Sequence, residues 1–240
     1  TTLAVTTEGL PLGLLTQKVL ARGKKRDCKN NKHKKVSIKE KESGKWLDAL
    51  EQTMASLPKG VQVVTVGDRD ADVFEFLIRA EQLGADYLIR ARSNRALMAG
   101  ERCLWEELAT APVSGRLEVE VAAKKDEPAR TAKVSVRYAK VELRPPQRPK
   151  EIRIERWKPI TLWAIYVKEI YATESVTPLD WMLLTNLPVN NFDDALERIQ
   201  WYCKRWSIEL WHKVLKSGCR VEDCLLETAE RIKRYLALMR

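Results

Sequence analysis

Cysteine, histidine and long apolar runs are scarce in this sequence. Among 240 residues there are five Cys and two His. The cysteines (Cys28, Cys103, Cys203, Cys219 and Cys224) are odd in number and form no Cys-x-x-Cys pair, with only His33 and His212 to assist them; neither a disulfide framework nor a zinc site is supported. No apolar run approaches the ~18 residues of a membrane span. The opening stretch TTLAVTTEGLPLGLLTQ has no basic n-region and no cleavage site, so no secretory leader is expected and a reducing cytoplasm is the expected compartment. Gly and Pro number only ten each and hydrophobic residues reach 45%, which excludes collagen-like and disordered composition. There is no initiating Met and the sequence opens inside a strand-like pattern, so a piece of a longer polypeptide is expected.

What is abundant is positive charge. Lys and Arg total 43 against 33 Asp and Glu, a net charge of +10, and a polyanion is the first partner to consider. Between Lys18 and Lys41 eleven Lys or Arg face only Asp27 and Glu40; this run reads either as a solvated loop or as a nucleic-acid contact.

Residues 1–20 read as a β-hairpin turning at Glu8-Gly9-Leu10-Pro11. Trp46, Leu47, Leu50 and Met54 recur at helical spacing after Ser43 and stop at Pro58-Lys59-Gly60. The β-branched run Val61 to Val66 reads as a buried central strand ending at Asp68. A helix from about Asp72 to Leu83 and a strand from Asp86 to Arg90 complete a β-α-β pattern, which places Asp68 at a strand's carboxyl end, where parallel sheets carry their sites. Asp70 and Asp72 read as a turn residue and a helix N-cap. From Leu104 to Val167 one short helix precedes alternating strands (RLEVEV, AKVSVRYAKVEL, ITLWAIYV), separated by the basic turns KKDEPAR and RPPQRPK. The strand WMLLT follows from Trp181. Asn190-Asn191 then cap a long helix running to Gly218, and a further helix is expected between Val221 and Arg240.

Along the long helix Leu196, Ile199, Cys203, Trp206, Leu210 and Val214 step by three or four and predict a core stripe. Tyr202, Arg205, Glu209, Lys213 and Lys216 form a second stripe about 100° away. One carboxylate among cations suits either ordinary surface ion pairs or a phosphate with a metal.

The spacing Tyr202-x-x-Arg205-x-x-x-Glu209-x6-Lys216, in YCKRWSIELWHKVLKSG, resembles the Y-R-E-K motif of the IS-four family of bacterial cut-and-paste DDE transposases. The blocks EKESGKWL, VVTVGDRDADVFEFL and PLDWMLLTNLPV resemble that family in the same order. The resemblance implies an α/β, ribonuclease-H-like mixed sheet with flanking helices, interrupted by a β-rich insertion. It divides the chain into a first part of the core at 1–100, an insertion at 101–170, and a second part with the Glu-bearing helix at 171–240. It implies two divalent ions, Mg2+ or Mn2+, held by carboxylates, with Asp68 and Glu209 matching the second and third acidic residues. Such ions activate a water or 3′-hydroxyl for in-line phosphoryl displacement. By the same resemblance Tyr202, Arg205, Lys216 and, more weakly, Lys213 bind phosphates. Trp181 falls where the family stacks a flipped base, against a core-packing alternative. Arg90, Arg92 and Arg95 read as phosphate contacts or as a solvated edge. The expected partner is double-stranded DNA at transposon ends and target, bound by a dimeric parent in the bacterial cytoplasm, at the nucleoid, with no membrane involved.

The family's first Asp lies on a strand ahead of the hairpin, and no acidic residue precedes Glu8. The expectation is a catalytic core lacking its first strand, with exposed strand edges, unable to transpose DNA by itself although its parent does. The alternative is a non-catalytic DNA-binding remnant of a decayed insertion element. An RNA-binding module has only the charge and eight Trp behind it.

Overall fold

The computed structural model describes residues 1–18, 43–123, 127–146, 157–172 and 176–238. The basic run beyond Lys18 as far as residue 42, and residues 124–126 and 147–150 of the two basic turns, lie outside the described residues. In chain order the elements are β1 (Thr2–Val5), β2 (Pro11–Thr16), α1 (Gly44–Ser56), β3 (Val64–Gly67), α2 (Phe74–Leu83), β4 (Asp86–Arg90), α3 (Leu104–Thr110), β5 (Gly115–Val121), β6 (Arg130–Leu143), β7 (Ile160–Glu169), β8 (Asp180–Thr185), α4 (Phe192–Lys204), α5 (Ser207–Lys213) and α6 (Ala229–Leu238). They fall into two compact units, Gln62–Tyr202 and Thr1–Val61 with Cys203–Arg240.

The first unit is built on a six-stranded mixed sheet in the order β3-β4-β8-β7-β6-β5. Only β3 and β4 are parallel; the other neighbours are antiparallel. Strand alternation sorts side chains between two apolar layers. On one face Leu88, Val134, Val136, Ile165, Val167 and Leu183 form a buried cluster with Ala195, Ile199 and Tyr202 of α4. On the other, Tyr87, Ile89, Leu162 and Leu184 are buried, α3 packs on β6 and β7, and Phe76 of α2 meets Tyr87 edge to face at 6.2 Å. This mixed sheet with flanking helices is consistent with a ribonuclease-H-like fold. The strands from the β-rich segment, β5 to β7, extend the same sheet.

Several boundaries differ from the sequence reading. The strand read from Val61 begins at Val64 and is not central: β3 is an edge strand of this sheet, and Val61 stands 53% exposed. The helix read from Asp72 begins at Phe74, after a 3-10 turn at Arg69–Ala71. Asp72 is therefore no helix N-cap. Asn191 does cap α4, accepting from the Asp194 N–H at 2.9 Å and so satisfying one orphan donor, while Asp194 accepts from the Asn190 N–H just ahead of the cap at 2.8 Å.

In the second unit β1 and β2 pair antiparallel. Gly9 sits in the connecting turn at φ +102°, where a side chain would be strained. α1 packs on β2 and α5 on β1. The long helix of the sequence reading is interrupted. At its break the bonds from Trp206 N to Cys203 O and from Ile208 N to Arg205 O span three residues, so the periodic face does not run through. Trp206, Leu210 and Val214 are consequently exposed at 40%, 53% and 62%, contrary to the core stripe read from their spacing.

One buried ion pair anchors the connection between β7 and β8. Glu169, its side chain 2% exposed, takes a two-pronged bond from Arg130 and a third from the Leu179 N–H at 2.8 Å. The Arg130 bonds hold the Glu169 carboxyl below the usual carboxylate range, against the opposing effect of burial. Glu169→Gln should destabilise the fold by about 3 kcal/mol, because it leaves the guanidinium buried without its counter-charge. The ionised carboxylate contributes fully above the unfolded pKa of about 4.3, and that contribution disappears as pH falls through the depressed folded value. Urea titrations of wild type and variant should therefore differ at neutral pH and converge at acidic pH.

Candidate active site

In the Gln62–Tyr202 unit, the register Gly67↔Ile89 places Asp68 one residue beyond the β3–β4 ladder, level with Arg90. Asp68 is half-buried and closes the 3-10 turn by accepting the Asp70 N–H on Oδ1 at 2.9 Å. Its Oδ2 has no hydrogen-bond partner among the described residues. Arg90 lies opposite Leu183 on β8, half-buried, and donates to the Asp180 carbonyl at 2.8 Å. Burial draws the guanidinium down, the Tyr202 side chain opposes this, and the charge on Arg69 adds to the lowering. An arginine nevertheless stays charged at neutral pH.

Tyr202 lies beside Arg90, near enough to act on its guanidinium, and is only 5% exposed. The structure thus moves it from the solvated stripe of the sequence reading into the core layer. The reason is the phase of α4: its inward residues are Ala195, Ile199 and Tyr202, one step from the predicted Leu196 and Cys203. Trp181, partly buried against the same cluster, meets Tyr202 edge to face at 4.9 Å and 67°. Arg90, Trp181 and Tyr202 are therefore one group.

Arg92 and Arg95 separate. Arg92 is exposed and 3.6 Å from Asp70, whereas Arg95 is buried on Asp72 and not a surface phosphate contact. Arg69, exposed and charged beside Arg90, was missed by the sequence reading although it directly follows Asp68.

In the other unit Glu209 sits in the first turn of α5 with its side chain 40% exposed, and its Oε1 accepts from Arg205 at 2.8 Å. Lys213 is exposed. Lys216 lies in a π-helical turn, Val214–Gly218, closed by the Cys219 N–H on the Val214 carbonyl at 3.0 Å. Two α-helical turns would stack Lys216 over Glu209. The wider turn carries it off that line, and it pairs with Glu222 at 2.9 Å.

The carboxylates of Asp68 and Glu209 are the hard oxygen donors that Mg2+ or Mn2+ prefers, and within its own unit each accepts a hydrogen bond on one oxygen and keeps the other without one among the described residues. By donor chemistry each suits a divalent cation. Among the described residues no cluster of three or more His, Cys, Asp or Glu is gathered, and no helix is long and apolar enough to cross a membrane.

The mixed sheet and its strand-end carboxylate define an α/β domain of the ribonuclease-H-like class. The family model described as Transposase DDE domain matches residues 41–239, and the chain belongs to that family. Membership makes this a domain of DNA transposition, with DNA as substrate and divalent metal ions as the family's usual requirement.

Tyr202→Ala should cost about 3 kcal/mol by leaving a cavity in the α4 layer. Tyr202→Phe should cost only about 1 kcal/mol, the loss of the hydroxyl's polar interactions. Thermal unfolding of the two variants separates the packing role of the ring from that of its hydroxyl.

Proposed function

We propose that the chain is part of the catalytic core of an IS-four-type DDE transposase whose parent acts at transposon ends by metal-dependent hydrolysis and strand transfer, and that residues 1–240 do not transpose DNA by themselves. The observation that carries this reading is the family match across residues 41–239, with Asp68 at the carboxyl end of β3. The Y-R-E-K spacing of Tyr202, Arg205, Glu209 and Lys216 supports the narrower assignment. We keep the division into a core at 1–100 and 171–240 with a β-rich insertion at 101–170, and a parent acting as a dimer on DNA, as parts of the same proposal.

In this reading Asp68 and Glu209 hold Mg2+ or Mn2+. When bound, the metal pair supplies an activated oxygen nucleophile and neutralises the leaving oxygen. Arg205, which donates to Glu209 Oε1 at 2.8 Å, would serve as a phosphate ligand beside the carboxylate that would hold the cation. Arg90, Arg92, Lys213 and Lys216 neutralise backbone phosphates, which positions DNA without reading its sequence. Tyr202 keeps the Arg90 guanidinium oriented. Trp181 offers an aromatic surface for an unstacked base, and its edge-to-face contact with Tyr202 fixes the ring's orientation before any base arrives. The reading assigns Asp68 and Glu209 to the second and third of the family's three carboxylates.

The test is nicking of supercoiled plasmid with Mn2+ by wild type, Asp68→Asn and Glu209→Gln, with DNA binding measured in parallel. The expected outcome is duplex binding by all three proteins and weak Mn2+-dependent nicking confined to wild type. Nicking that survives both substitutions rejects the metal ligands. Binding without any nicking favours the non-catalytic DNA-binding reading, and efficient cleavage of transposon ends by residues 1–240 rejects the two-carboxylate assignment.

A further inference from the structure

Four residues beyond Asp68 lies a second carboxylate with a different task. The Asp72 side chain is fully buried. Its Oδ2 accepts the backbone N–H of Arg92 at 2.8 Å and of Ser93 at 3.0 Å. Its Oδ1 accepts Nε of Arg95 at 3.0 Å and also Nη2 of the same guanidinium, which reaches the Asp72 carbonyl at 3.0 Å as well. The Arg95 guanidinium lies over the Phe74 ring at 5.8 Å, and Phe74 packs on Trp157 at 5.5 Å. Both carboxylate oxygens are thus occupied by two donors each, so Asp72 has no lone pair left for a cation despite its place in the Asp68-Arg69-Asp70-Ala71-Asp72 run. A charge removed from water this completely persists only because the donors replace its hydration.

The groups it holds are the backbone of the loop that leaves β4. Arg95 is consumed in the clamp. Arg92, by contrast, has its main chain pinned to Asp72 while its side chain is 68% exposed and lies 3.6 Å from the exposed Asp70. A long cation on a fixed backbone, two residues past Arg90, loses less freedom on meeting a phosphate than one on a loose loop.

We infer that Asp72 is a positioning residue for DNA binding: with Arg95 it locks the turn after β4 so that Arg92 stands beside the Asp68 strand end as a phosphate contact. This rests on the DNA-processing reading above and assigns Asp72 a role distinct from metal ligation.

The sign of the effect separates the idea from plain electrostatics. Removing a negative charge from a DNA-binding protein raises its affinity through the overall field, whereas loss of the clamp lowers it. Asn at this position offers one acceptor oxygen and turns an amide donor toward N–H groups. The experiment is fluorescence anisotropy of a short labelled duplex of mixed sequence across a salt series, with the full chain as wild type, Arg92→Gln, Asp72→Asn and the double variant.

Each single substitution should weaken binding roughly fivefold and lower the salt slope by about 1, and the double variant should be no weaker than either single one. If the double loses the product of the two effects, or Asp72→Asn binds as well as wild type, the inference falls. If Asp72→Asn does not fold, Arg95→Gln takes its place with the same expected pattern and the same outcomes against it. Should Arg92→Gln alone leave affinity unchanged, the inference falls while the DNA reading stands. Should Arg90→Gln also leave it unchanged, the assignment of both arginines as phosphate contacts falls with it.

Discussion

The antiparallel register between β4 and β8 is the constraint on which the Gln62–Tyr202 site depends. Arg90 pairs with Leu183 and Leu88 with Thr185, so apolar Leu88 and Leu183 face the α4 layer while Arg90 and Trp181 continue the same face toward the strand end. A slip of one residue would send every one of these side chains through the sheet. Burial of the two leucines therefore fixes where the guanidinium and the indole emerge. The parallel β3–β4 pair transmits that register to Asp68, whose place beyond Gly67 is set by the ladder rather than by any contact of its own carboxylate.

Much of this architecture was legible because strand signals are short-range and strong. Asp86 to Arg90 was bounded correctly by β-branched and apolar content, and the strands β5 to β8 followed from alternation and turn residues. The failures share one cause, the extension of a local period past the point where tertiary packing stops enforcing it. Val61 and Gln62 carry strand propensity but have no paired neighbour, and the ladder begins only at Val64. The long helix looked continuous because three- and four-residue steps persisted from Leu196 to Val214, yet bonds spanning three residues at Trp206 end the α4 register.

The site was less legible than the fold. Asp68 could be placed at a strand end from the β-α-β pattern, whereas Trp181 was singled out only through the family resemblance. Tyr202 could not be recognised as a buried partner of Trp181 and Arg90, since a one-step error in helix phase exchanges core and surface on a helix that has polar groups on both flanks. Asp72 was misread for the opposite reason: an Asp two residues before a helix resembles a cap in any sequence, and the backbone groups that claim it come from a loop some twenty residues later. No local rule connects them.

The π-turn at Val214–Gly218 has a bearing on how this segment tolerates change in length. A π-turn is in effect one residue more than an α-helix needs for the same advance. Deleting a single residue there would let the chain relax into ordinary helix, carrying Cys219 and all that follows round the axis while leaving α5 untouched. The segment after Glu209 thus holds a built-in slack of one residue, by which the angular placement of Lys216 can be reset through a deletion rather than a substitution.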